Sequence, residues 1–190
     1  MNMESHDKSE TKRGRRRAIK GATTNRWTVG VFQISDLTVG TLIEIHTEPD
    51  ENEGLFVGTI TAVGPEWLLL ALLDEYGTHD GFLLLQRSNI LASACHSLYL
   101  EKLQSIAVPF QLQDIAREAD PVCVLQYVLD SQALIEIDFV FGRSIIGTVV
   151  DIAGDRFAID QLDDRGVLAS RLIYLLEDVK QIQYGGFLSQ

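Results

Sequence analysis

The sequence predicts a mainly β protein: two small five-stranded barrels joined by a short helical linker and preceded by a disordered basic N-terminal tail. Three observations predict it. A tetrapeptide and the apolar pattern behind it occur twice in nearly constant register. Within each copy, apolar residues fall in short runs or alternate with period two. The first 26 residues carry many cations and almost no apolar side chains.

The tail comes first. Residues 1–26 hold eight basic side chains, Lys8, Lys12, Arg13, Arg15, Arg16, Arg17, Lys20 and Arg26, against Glu4, Asp7 and Glu10. The whole chain has 16 Lys+Arg and 27 Asp+Glu, so the other 164 residues carry 8 basic and 24 acidic groups. A +5 arm is attached to a −16 body. The arm cannot bury enough surface to offset its ordering entropy and is expected to be disordered. Arg13, Arg15, Arg16, Arg17 and Lys20 are its candidate contacts to nucleic acid or an acidic partner. A solubilising tail is the plainer reading. Trp27 to Val39 is apolar enough to dock, without a definite secondary structure.

Leu42-Ile43-Glu44-Ile45 recurs as Leu134-Ile135-Glu136-Ile137, a shift of 92. Gly58-Thr59 recurs as Gly147-Thr148, Leu73-Asp74 as Leu162-Asp163, and Gly77 as Gly166, all at a shift of 89. Three extra residues therefore lie between Ile45 and Gly58, where His46 to Gly54 reads as a loop. Apolar character persists where identity does not: Ile60 pairs with Val149, Leu68 with Phe157, Leu84 with Ile173, and Ile90 with Val179. Such a register implies a duplicated unit. Each copy has about 55–60 residues, near the lower limit for an independent core.

In the first copy, strands are predicted around Leu42–His46, Leu55–Val63, Trp67–Leu73, Phe82–Gln86 and Ile90–Cys95. The second copy repeats them at 134–140, 144–152, 156–162, 171–176 and 179–184. Gly64-Pro65 and Asp74 to Gly77 are turn signals. A meander this small hides its apolar face by curling into a barrel. Between the copies, Tyr99, Leu103 and Ile106 have helical spacing, as do Leu112, Ile115, Ala116 and Ala119. Asp120-Pro121 reads as an N-cap and first-turn proline opening a helix through Leu129. Pro109 breaks any continuous helix. The expected domains are a tail at 1–26, a first barrel at 27–97, a helical linker at 98–131 and a second barrel at 132–190.

Five strands of this order, with a glycine (Gly58 or Gly147) in the second and a very short link before the fifth, resemble the Sm-like family of SH3-like small barrels. Gly77-x-x-Asp80-Gly81, followed by Ile90, is similar to small uncharacterised bacterial proteins of this kind. The resemblance covers about 40–97 and 132–185 and implies the fold. RNA-binding members carry an Asp and an Asn around the turn between the second and third strands, and a basic-Gly pair between the fourth and fifth. Here the turns are Gly64-Pro65-Glu66 and Gly154-Asp155-Arg156. The links are Arg87-Ser88-Asn89 and Leu176-Glu177-Asp178. Neither of the two RNA signatures is present.

The chemistry-bearing residues have plain readings. His79-Asp80 resembles an acid–base pair, but adjacent side chains on extended backbone point apart, and Leu168 and Ala169 stand at the equivalent positions. The loop from His46 to Glu53 holds four carboxylates and an imidazole; it lacks the glycine and spacing of an EF-hand and reads as a solvated hairpin tip. Cys95-His96 reads as packing beside a surface histidine. There is no P-loop, dinucleotide glycine pattern or nucleophile elbow. No catalytic activity, cofactor or metal is therefore expected. Two cysteines form no disulfide framework, no apolar run approaches a membrane span, and the first residues show no secretory signal. A cytoplasmic location with reduced thiols is expected.

Two function classes follow. One is a non-catalytic interaction or scaffold protein whose barrels pair through strand edges, with Phe82, Leu84 and Ile90 as candidate interface residues and self-association or a protein partner implied. The alternative is a nucleic-acid-associated, RNA-binding protein touching phosphates mainly through the tail. The acidic body would repel phosphate unless Arg87, Arg143, Arg156 and Arg171 cluster.

Overall fold

The computed structural model describes residues 37–48, 54–107 and 118–186. The basic arm, the residues around Pro109, and most of the acidic loop lie outside them. The described part is mainly β, with ten strands and two helices. In chain order the strands are β1 (Leu42–His46), β2 (Leu55–Val63), β3 (Trp67–Leu73), β4 (His79–Gln86), β5 (Ala92–Ala94), β6 (Ile135–Phe139), β7 (Ser144–Ala153), β8 (Arg156–Leu162), β9 (Leu168–Leu175) and β10 (Val179–Tyr184). Helices α1 (Leu98–Ile106) and α2 (Pro121–Ser131) separate β5 from β6.

All ten strands form one antiparallel sheet in the order β5-β1-β2-β3-β4-β10-β6-β7-β8-β9. The ladders of the two halves share one register. Ile43 stands opposite Gly58, and Ile135 opposite Gly147. The β2–β3 ladder shifts between Ile60 and Ala62, and the β7–β8 ladder between Val149 and Asp151. Short 3-10 turns, Arg87–Asn89 and Leu176–Asp178, follow β4 and β9. Asp74 accepts backbone N–H bonds from Tyr76 and Thr78, as Asp163 does from Arg165 and Val167. The two acidic residues thus build the same Asx-type turn, closed by Gly77 and Gly166 at φ 75° and 73°.

Burial explains why the strands read differently. β3 and β4 are covered on both faces. Leu68, Leu70, Leu83 and Leu85 pack with Ile43, Ile45 and Ile60 in one cluster. Their neighbours Trp67, Leu69, Ala71, Phe82 and Leu84 join a second cluster with α2 and the core of the later strands. A strand buried on both faces has no polar side to alternate with, hence Trp67 to Leu73 and Phe82 to Leu85. β8 is covered on one face: Phe157 and Ile159 are buried, and Arg156 is exposed.

Several boundaries differ from the sequence reading. β4 begins at His79 rather than Phe82, so His79 and Asp80 belong to the strand. β9 likewise begins at Leu168 rather than Arg171. The antiparallel partner extends each strand past its apolar run: Leu73 pairs with His79, and Leu162 with Leu168. β5 is shorter than expected, because Arg87–Asn89 coils into a 3-10 turn and Ile90 and Leu91 precede the ladder. The stretch between the halves also does more than connect them. Leu100 and Leu103 of α1 pack with Val57 against the first strands, and Val124, Leu125 and Val128 of α2 enter the larger core. The α2 start is the expected one: the Asp120 carboxylate accepts from the N–H groups of Val122 and Cys123, and Pro121 occupies the first turn.

Candidate functional site

The main junction of the molecule lies between β4 and β10. Phe82, Leu83, Leu84 and Leu85 stand opposite Tyr184, Gln183, Ile182 and Gln181. Phe82 and Tyr184 stack, their ring centroids 5.2 Å apart, and Tyr127 of α2 lies 5.7 Å from Tyr184. Burial pushes the Tyr184 phenol well above its ordinary range, with the neighbouring Tyr127 adding to the effect. Gly81, at φ 84°, lets the two backbones meet at one end: a Cβ there would lie 2.6 Å from the Tyr184 carbonyl oxygen. Of the candidate edge residues, Phe82 and Leu84 are thus buried within this junction. Ile90 lies outside β5 and packs, half-buried, against the core of the first strands.

Beside the junction lies an open cleft of ≈ 830 Å³. Val63, Pro65, Trp67 and Pro121 contribute apolar walls, and Glu118 and Glu177 contribute carboxylates. Arg87 holds the Gly64-Pro65 turn that forms part of its wall. Its Nη1 donates to the Gly64 carbonyl at 2.6 Å and to Pro65 at 3.3 Å, and its backbone N–H donates to Glu66. Its guanidinium therefore braces the β2–β3 turn. Arg143, Arg156 and Arg171 are also engaged. Arg171 forks onto Asp160 at 2.6 and 2.8 Å, holding that carboxyl below its usual range through the hydrogen bond and charge. Arg143 donates to Gln161 at 3.2 Å, and Arg156 lies 3.7 Å from Asp155.

The remaining polar groups gather near α1. Glu44 is buried; one carboxylate oxygen lies 2.9 Å from Nε2 of His46, and the other accepts from the Ser97 hydroxyl at 3.4 Å. Ser97 in turn accepts from the Leu100 N–H and caps α1. The carboxylate sits between imidazole and hydroxyl, so the imidazole does not touch the hydroxyl it would need to activate. The arrangement docks a helix. Sequence reading missed it, since period-two alternation sends Glu44 outward and gives no sign that Ser97 covers that face.

His79 packs on Phe82, with ring centroids 4.7 Å apart. Burial lowers its pKa, partly countered by Asp80. Burial likewise raises the Cys95 thiol, against thiolate reactivity. From the acidic loop, His46 turns onto Glu44, and Glu48 receives Lys180 Nζ at 3.0 Å; residues 49–53 lie outside the described part. So do Arg13, Arg15, Arg16, Arg17 and Lys20. Among the described residues no group of three or more His, Cys, Asp and Glu is placed to hold a metal ion, and no helix is long and apolar enough to cross a membrane. No family model, curated protein or solved structure matches the chain.

Proposed function

We propose that this chain is a non-catalytic interaction or scaffold protein built from two Sm-like small barrels, fused edge to edge through β4 and β10. The observation that carries this reading is the ladder from Phe82–Leu85 to Gln181–Tyr184. It joins two five-stranded units with matching registers. Ile43, Ile45, Ile60, Leu68 and Leu83 of the first unit form one core, and Ile135, Ile137, Val149, Ile159 and Val179 of the second form another, which Trp67, Leu69, Phe82 and Leu84 of the first unit also enter. Among the described residues, four polar side chains hold elements together: Arg87 on a turn, Glu44 on α1, Asp74 and Asp163 in turns. None is arranged as nucleophile and base. What the fold offers a partner is sheet edge and surface.

Affinity purification of the full chain from its native host, with and without nuclease, tests the reading. A protein partner retained after nuclease treatment and after removal of residues 1–26 is the expected result. The +5 arm favours a second reading, a nucleic-acid-associated protein gripping phosphates through Arg13 to Lys20. Salt-sensitive RNA or DNA binding, lost with the arm, together with partners that vanish on nuclease treatment, would establish that second function instead.

A further inference from the structure

We infer that the outer face of the second half is a seat for an amphipathic helix of a partner protein, docked there as α1 docks on the first half. This inference rests on the interaction-protein reading above and gives the partner a form and a place. The two halves present the same face. Glu44 stands opposite Val57 between β1 and β2, and Glu136 opposite Ile146 between β6 and β7. In the repeat register, Leu42, Leu73 and Gly77 correspond to Leu134, Leu162 and Gly166.

In the first half these positions carry α1. Leu100 and Leu103 cluster with Val57, and Leu42 and Leu73 pack against them. The N-cap Ser97 donates to Glu44. At the other end the chain closes on Gly77, where a Cβ would stand 2.8 Å from the Ala107 Cα. Val57 is left 7% exposed.

In the second half the same positions lie open among the described residues. Ile146 is 39% exposed, and Leu168, which stands opposite Leu162, is 58% exposed. Gly166 is exposed, and a Cβ there would meet nothing within 4 Å. α2 is not the cover. Its Val124, Leu125 and Val128 join the cluster of Ile145 and Val149, and side chains alternate along β7, so Ile146 points to the opposite face.

α1 shows what chemistry fits such a seat: a serine or threonine N-cap, with leucines three and six residues after it. Charge fixes the direction. Glu136 uses one carboxylate oxygen for the Ser144 hydroxyl at 2.9 Å. Its other oxygen can take a cap hydroxyl, and the carboxylate favours the positive end of a helix dipole. In the turn at the far end, Asp163 and Asp164 outnumber Arg165. A lysine or arginine in the last turn of the occupant suits both those carboxylates and its own helix terminus. One short helix buries little surface, so the contact is reversible.

The probe is a peptide of residues 96–107, stapled between positions 98 and 102, which are exposed in α1. A nine-residue helix needs that restraint in water. Titrated into the full chain, it should bind saturably and shift the methyl signals of Ile146 and Leu168 while leaving those of Val57 in place. Ile146→Asp and Leu168→Asp, both at exposed positions, should each weaken binding by about tenfold or more. A peptide with Leu100→Ala and Leu103→Ala should not bind. Absence of binding at the highest soluble concentration, equal binding by parent and Ile146→Asp, or shifts at Val57 with none at Ile146 would each overturn the inference. A host protein retained equally by the parent, Ile146→Asp and Leu168→Asp would sink this inference alone and leave the interaction reading standing.

Discussion

Leu84 of β4 stands opposite Ile182 of β10, and both side chains are fully buried. The pair lies 98 residues apart in sequence, at the centre of the junction between the two halves of the sheet. Both side chains enter the same large cluster as Val124, Leu125 and Val128 of α2. Strand pairing, helix docking and the later core therefore share one set of contacts.

Leu84→Ala should consequently lower unfolding free energy by about 2–5 kcal/mol, the range for truncating a fully buried leucine. Leu84→Lys should cost more, because an unpaired charge is added to the lost packing. Chemical denaturation measures both. If the halves unfold together in the parent and separately in Leu84→Lys, the junction is what couples them. An unchanged midpoint for Leu84→Lys would mean the junction contributes no stability.

Gly58 and Gly147 make a paired prediction. A Cβ at Gly58 would run into the Ala71 carbonyl oxygen, and one at Gly147 into that of Asp160. Neither has a positive φ, so the requirement is for space across a bent ladder rather than for left-handed backbone. Gly58→Ala and Gly147→Ala should both destabilise, by similar amounts of about 1–3 kcal/mol, as overpacking does. Gly154→Ala is the contrast. It meets nothing within 4 Å and pays only for its φ of 64°. Thermal denaturation of the three variants should separate the first two from the third.

His79 gives the fold a mild acid sensitivity. Burial holds its folded pKa below the ordinary value of 6.5, and Asp80 opposes that only in part. The folded protein thus binds this proton less readily than the unfolded chain. The stabilising contribution is complete above pH 6.5 and is lost as pH falls from there through the folded pKa. His79→Leu, which places at this position the residue found at Leu168, should flatten the decline in stability between about pH 7.5 and pH 5. Matching slopes for parent and variant would assign the acid sensitivity to other groups.

Much of the fold was legible because local rules and burial agree. The all-apolar runs Trp67 to Leu73 and Phe82 to Leu85 marked strands, and the shift of 89 marked equivalent ones. Asp120-Pro121 announced α2 through its cap. The unbroken run in β3, against the alternation in β8, also signals a strand covered on both faces. What it does not name is the cover, since the partner of β4 lies almost a hundred residues away. β5 was read too long because Ile90, Leu91 and Cys95 continue the local apolar pattern, whereas only Ala92 to Ala94 find a ladder partner in β1. Of the candidate site, Phe82 and Leu84 were legible as an unguarded apolar edge. The cluster of Glu44, His46 and Ser97 was not, because burial of Glu44 depends on where α1 docks.

That cluster yields the last prediction. α1 has nine residues, too few to hold as an isolated helix. It stays through two anchors. Leu100 and Leu103 pack with Val57, and Ser97 both caps the helix and donates to Glu44. Ser97→Ala removes the cap and the carboxylate contact together. It should cost about 1 kcal/mol for the cap, plus the unmet hydrogen-bonding capacity of a buried carboxylate oxygen. Ser97→Asp keeps a capping oxygen but sets a second carboxylate against Glu44, so it should destabilise α1 as well. Glu44→Gln retains an acceptor for Ser97 and relieves that repulsion. The double variant Ser97→Asp/Glu44→Gln should therefore recover stability lost in Ser97→Asp alone. Hydrogen exchange reads the effect locally: amides of Leu100 to Ile106 should lose protection in Ser97→Ala and Ser97→Asp, while those of β7 and β8 keep theirs. No recovery in the double variant would show that Glu44 does not act on α1 through Ser97. Uniform loss of protection across the sheet would show that α1 is not an independently docked element.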